Sequence, residues 1–125
     1  MGDKEFHRRK IEELLDVYQS SDKAFVKGVC LFYIGVHAVD LCLAEQNIHP
    51  STHRGRRKAI TDTMDEVVSS SFNDLLSDSL RIRYSELSED VDLEQMKNRL
   101  ERLVERLKYI FEFPEDLAEN IFTLC

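Results

Sequence analysis

Residues 23–46 read KAFVKGVCLFYIGVHAVDLCLAEQ, and the middle of this segment is apolar on nearly every helical face. Phe25, Val26, Val29, Leu31, Phe32, Tyr33, Ile34, Val36, Val39, Leu41, Leu43 and Ala44 leave no polar stripe for solvent. A helix of that kind has to be surrounded by others. Its apolar stretch, residues 29–44, is interrupted by Gly35, His37 and Asp40. It falls short of the roughly 18–20 residues that span a bilayer, so the expectation is a central buried helix and no membrane contact.

The flanking segments supply the surrounding helices. Ile11, Leu14, Leu15 and Tyr18 form one stripe on a helix over residues 3–18, and residues 20–22 stop it and cap the next. The clearest interruption is residues 47–55, NIHPSTHRG. Pro50 disfavours helix at His49, and Ser51 or Thr52 can cap a third helix bearing Ala59, Ile60, Met64, Val67 and Val68. Ser69, Ser70 and Ser71 are expected to end it. A fourth helix over residues 72–87 would turn Leu76, Leu80, Tyr84 and Leu87 to one side. After an acidic turn, Asp92 caps a fifth whose Leu93, Met96, Leu100, Leu103, Leu107 and Ile110 alternate three and four apart, a heptad stripe suited to bundle or dimer packing. Pro114 at the first helical position opens a short last helix with Leu117, Ile121 and Leu124.

With 125 residues the chain suits one domain, and only 4 Gly and 2 Pro argue against an all-β fold. The expected class is all-α, an up-and-down antiparallel bundle of five to six helices over residues 1–125. The net charge of −7 disfavours duplex binding by bulk electrostatics, so any phosphate contact needs a local basic patch. Cys30, Cys42 and Cys125 are odd in number and lack CxxC spacing, which suggests a reducing compartment. The charged opening residues carry no signal-peptide pattern, and a cytoplasmic location is expected.

His37 and Asp40 are the strongly polar side chains in the apolar helix, three apart on one face, with Tyr33 one turn earlier. A core histidine satisfied by Asp40 or Tyr33 fits this pattern, and so does an imidazole opening on a cleft. His49, His53, Arg54, Arg56, Arg57 and Lys58 concentrate positive charge at the start of the third helix. Arginines there oppose the helix dipole unless something negative is near. Either a solvated basic turn or a phosphate or RNA site would account for them. Arg81, Arg83 and Tyr84 add cations and a phenol on the fourth helix. His49-x-x-x-His53 with His37 and Asp40 has the donors for a metal, but Pro50 opposes the helix that spacing needs, and no metal or cofactor is expected. No phosphate-binding glycine loop, HExxH or GxSxG motif occurs, and no serine or cysteine can be assigned as nucleophile.

Tyr33-x-x-x-His37 leading into Ala38, Leu41 and Leu43, then Pro50-Ser-Thr-His53-Arg54-Gly55, then Arg81-x-Arg83-Tyr84 before a long helix, together resemble HEPN domains. The resemblance implies a helical bundle that commonly dimerises. It also implies a partnership with a small nucleotidyltransferase, often as a toxin–antitoxin pair. The family's ribonucleases carry an arginine and a following histidine with four to six residues between them on one helix, placing an acid/base beside a phosphate-stabilising cation. None of His7, His37, His49 or His53 has an arginine at that distance before it, which argues against catalysis.

Three readings follow. The leading one is a non-catalytic homodimeric HEPN-like module, without cofactor, whose cleft of Tyr33, His37, Asp40, His53, Arg54, Arg57, Arg83 and Tyr84 binds a nucleotide, RNA or a nucleotidyltransferase. The second is a metal-independent ribonuclease with His37 or His53 as acid/base and an arginine from another helix. The third is a structural interaction scaffold built on the fifth helix.

Overall fold

The computed structural model describes residues 3–84 and 92–124. Among them the chain forms six α-helices and no strand: α1 (Lys4–Ser20), α2 (Ala24–Glu45), α3 (His53–Thr63), α4 (Glu66–Tyr84), α5 (Leu93–Ile110) and α6 (Glu115–Phe122). This is the all-α helical bundle expected from the sequence. Helix α2 packs against α1, α4 and α5 together, and α6 closes one end against α1 and α5. Phe32, Ile34, Leu41 and Leu43 of α2 meet Ile11, Phe72, Leu75, Met96, Leu100 and Leu103 in a core shut off from solvent. At 22 residues α2 is, contrary to expectation, long and apolar enough to cross a membrane by length and composition. Yet 72% of its most apolar window is buried inside the bundle, which already occupies its apolar faces.

The helix ends follow local chemistry. Asp3 caps α1 by accepting from the Phe6 N–H, and Thr52 caps α3 by accepting from the Gly55 N–H. Asp92 caps α5 through the N–H groups of Glu94 and Gln95. At the end of α2, Asn47 takes a left-handed conformation (φ 59°). The Ile48 N–H then reaches the Leu43 carbonyl and the Asn47 N–H reaches that of Ala44, a Schellman closure with Asn in the glycine position.

Three expectations are corrected. The third helix does not run to the serines; it ends at Thr63, where Met64 is extended. Asp65 then accepts from the Val68 N–H, so α4 starts at Glu66 and carries Ser69, Ser70 and Ser71 within it. This re-phases the inner face of α4 to Val68, Phe72, Leu75, Leu76, Ser79 and Ile82, and leaves Leu80 and Tyr84 exposed. Pro114 is the residue before the first turn of α6 rather than in it. Of the two uses open to the α5 stripe, bundle packing takes Met96, Leu100, Leu103 and Leu107, which are fully buried, as is Val104. Leu87, most of the acidic turn and Cys125 lie outside the described residues.

Candidate functional site

The residues picked from the sequence fall into two neighbouring clusters, separated by the Tyr33 ring. On one side, His37 faces α1. Its Nδ1 lies 2.9 Å from Nδ1 of His7, so one ring donates and the other accepts. Phe6 packs edge-on against both imidazoles. Burial, then the facing His7, pushes the His37 imidazole down to about 4, and it is neutral near pH 7. His37 and Tyr33 line a cavity of about 330 Å³ together with Lys10, Glu13, Leu14 and Val17.

On the other side, His53 opens α3 and packs edge-to-face on Phe32, with Tyr33 6.5 Å away between ring centres. Arg56 Nη1 sits 3.2 Å from His53 Nδ1. A guanidinium can only donate, so Nδ1 accepts and the His53 proton resides on Nε2. Burial, followed by the charges of Arg56, Arg83 and Arg57, holds this imidazole below its ordinary value. His53 therefore stands as a neutral donor among cations.

Asp40 connects the clusters. Its two oxygens accept from Arg56 Nε and Nη2 at 2.7 and 2.8 Å, a bidentate pair buried on both sides. Asp40 is thus the negative group that makes an arginine tolerable in the first turn of α3. Of the two partners considered for His37, neither Asp40 nor Tyr33 forms its hydrogen bond; His7 does.

Arg83 completes the second cluster from α4. Its Nη1 donates to the Tyr33 hydroxyl at 3.4 Å and its Nε to the Ser79 carbonyl at 3.4 Å. The guanidinium lies 5.7, 5.8 and 5.4 Å from the ring centres of Phe32, Tyr33 and Tyr84. Stacked contacts of this kind hold a cation in place without neutralising it. Tyr84 itself is 76% exposed, and Arg81 points to solvent rather than into this cluster. Arg54 and Arg57 are exposed at the α3 start. His49 is also exposed, beside the Asn47 side chain, and lies apart from both clusters.

Two members of these clusters escaped the sequence reading. His7 lies four residues before Ile11 and so extends the Ile11–Leu15–Tyr18 stripe by one turn; its burial with them was written in that spacing. Arg56 was grouped with the surface cations, although it lies four residues before the fully buried Ile60 on the same face of α3. An aspartate in an apolar helix calls for such a partner.

The fold and site define an all-α bundle with an aromatic, cationic cluster on one face and a histidine pair beside it. No protein-family model, curated protein or solved structure matches the chain.

Proposed function

We propose that the chain is a HEPN-like binding module whose His53–Arg83–Tyr33 face takes the phosphate of a nucleotide or related ligand. The observation that carries this reading is Arg83. Its guanidinium is pre-positioned by three rings and the Tyr33 hydroxyl, and among the described residues it pairs with no carboxylate. Beside it, neutral His53 offers Nε2–H, and exposed Arg54 and Arg57 add positive charge at a helix start. A phosphate group satisfies such donors and relieves the mutual repulsion of the cations. The exposed Tyr84 ring offers a platform on which a base can stack.

Calorimetric titration of the full chain with ATP, AMP and inorganic phosphate tests this. Saturable binding that weakens at least tenfold in Arg83→Met supports it. Absence of heat for all three leaves only a protein partner, of the nucleotidyltransferase kind that accompanies HEPN domains or a second copy of the chain. Light scattering with and without that partner then decides between these.

The ribonuclease reading draws on one juxtaposition, the His53 imidazole from α3 near the Arg83 cation from α4. RNA cleavage that survives chelator and disappears in His53→Ala favours it. RNA left intact by the wild-type chain removes it.

A further inference from the structure

We infer that His7, His37 and Asp40 form a binding site for a divalent transition-metal ion, a site distinct from the phosphate-binding face. The donor atoms of these three residues lie within 4.8 Å of one another, and they come from two helices packed side by side. Two imidazoles and one carboxylate are a donor set that suits zinc, cobalt and nickel ions.

The geometry is close to what an ion needs. The two Nδ1 atoms are 2.9 Å apart. With metal–nitrogen bonds of about 2.05 Å, that separation corresponds to an N–metal–N angle of about 90°, as in octahedral coordination. Tetrahedral zinc needs the rings to part by about 0.4 Å. When an ion binds, both Nδ1 lone pairs turn to it. The proton shared between the two Nδ1 atoms moves to the vacant Nε2 of the ring that carried it, the other ring already holds its proton on Nε2, and no proton is released.

The surroundings support the site. Phe6 fixes both rings edge-on, and Arg56 holds both Asp40 oxygens while leaving each a second lone pair. His37 borders the cavity with Glu13, Lys10 and Tyr33, which supplies an entry path and room for water ligands. His7 is nearly closed off, so solvent reaches the pair chiefly from the His37 side. Arg56 and Lys10 place positive charge near the ion, which weakens its affinity.

The test uses the untagged full chain, titrated with zinc chloride by calorimetry and with cobalt chloride by visible absorption. The expected result is one equivalent bound, a cobalt ligand-field band, and a rise in melting temperature with excess zinc. His7→Gln and His37→Gln, each retaining a polar group of similar length, should weaken binding at least tenfold. Arg83→Met should leave it unchanged, which separates this site from the phosphate face. Absence of stoichiometric binding means that the two imidazoles share a proton and nothing more, and it overturns the proposal. So does binding that persists unchanged in both histidine variants, because the ion then sits elsewhere. Circular dichroism of each variant checks its fold. If a glutamine variant unfolds, diethyl pyrocarbonate modification of the wild type replaces it, with zinc expected to protect His37.

Discussion

Asp40 on α2 and Arg56 on α3 form a two-pronged ion pair with side chains only 5% and 8% exposed. The pair fixes the start of α3 against the central helix and aims Arg56 at His53. Removing one member strands the other charge away from water, and that is far costlier than losing a surface bridge. Asp40→Asn and Arg56→Met should each destabilise the fold by about 3–5 kcal/mol. The double substitution Asp40→Leu with Arg56→Met should recover most of that loss, since neither charge is then left buried. Urea denaturation of the three variants checks both parts. A double variant no better than the singles would mean that the pair contributes specific geometry beyond its charge balance.

Gly35 lets α2 approach two helices at once. A Cβ at that position would lie 3.2 Å from Leu75 Cδ1 and 3.4 Å from Leu103 Cδ2, with Leu100 Cδ1 at 3.6 Å. A single methyl is tight there, and a branched side chain has to displace leucines that are themselves fully buried. Gly35→Val should cost about 1–3 kcal/mol despite the better helix propensity of valine. Thermal melts monitored by circular dichroism measure this. A melting temperature equal to wild type would show that α4 and α5 can give way.

The sequence made some of these features legible and hid others for physical reasons. Periodicity was enough for α1 and α5, because Ile11 and Leu100 belong to stripes whose spacing is set by the helix itself, whereas α2 was legible because it is apolar on nearly every face and so has to be buried. Asp92 and Thr52 were readable as caps because capping depends on the residue type and its immediate neighbours. The α3–α4 break was misplaced because three serines look like a stop, whereas Met64 and Asp65 carry the actual turn and cap. That shift also reversed Leu80 and Tyr84 from inside to outside. His37 was found as a polar residue out of keeping with its apolar helix, Tyr33 as its neighbour one turn earlier, and His53 within the cationic start of α3. Their division into two clusters, and the pairings of His37 with His7 and Asp40 with Arg56, depend on how helices pack, which no local pattern encodes.

His53 makes folding sensitive to acid in a defined direction. Its imidazole is held below its ordinary value of 6.5, first by burial and then by Arg56, Arg83 and Arg57. As the pH falls below 6.5, the unfolded chain takes up a proton at this position before the folded chain does. That uptake favours the unfolded state, so the His53 contribution to stability is complete above 6.5 and declines on acidification through the lowered value. His53→Gln has no such titration. Between pH 6.5 and 5 the wild type should therefore lose stability more steeply than His53→Gln, as read from urea midpoints at each pH in the presence of chelator. Parallel curves would count against the lowered value.

Ser79 is sealed inside α4, and its hydroxyl has no hydrogen-bond partner among the described residues. A buried hydroxyl gives up its bonds to water and here gains nothing in return, a loss of about 1–3 kcal/mol for such a group. Alanine removes the hydroxyl, fits within the space serine occupied, and is the better helix former. Ser79→Ala should thus stabilise the chain by about 1–2 kcal/mol, unlike most core substitutions. Ser77, exposed on the same helix, separates the two causes. Ser77→Ala reports helix propensity alone, at about 0.5 kcal/mol. The excess of the Ser79 variant over it measures the desolvated hydroxyl. Equal gains from the two substitutions would mean that the Ser79 hydroxyl finds an acceptor in solution, for which the carbonyl one turn earlier in α4 is the natural choice.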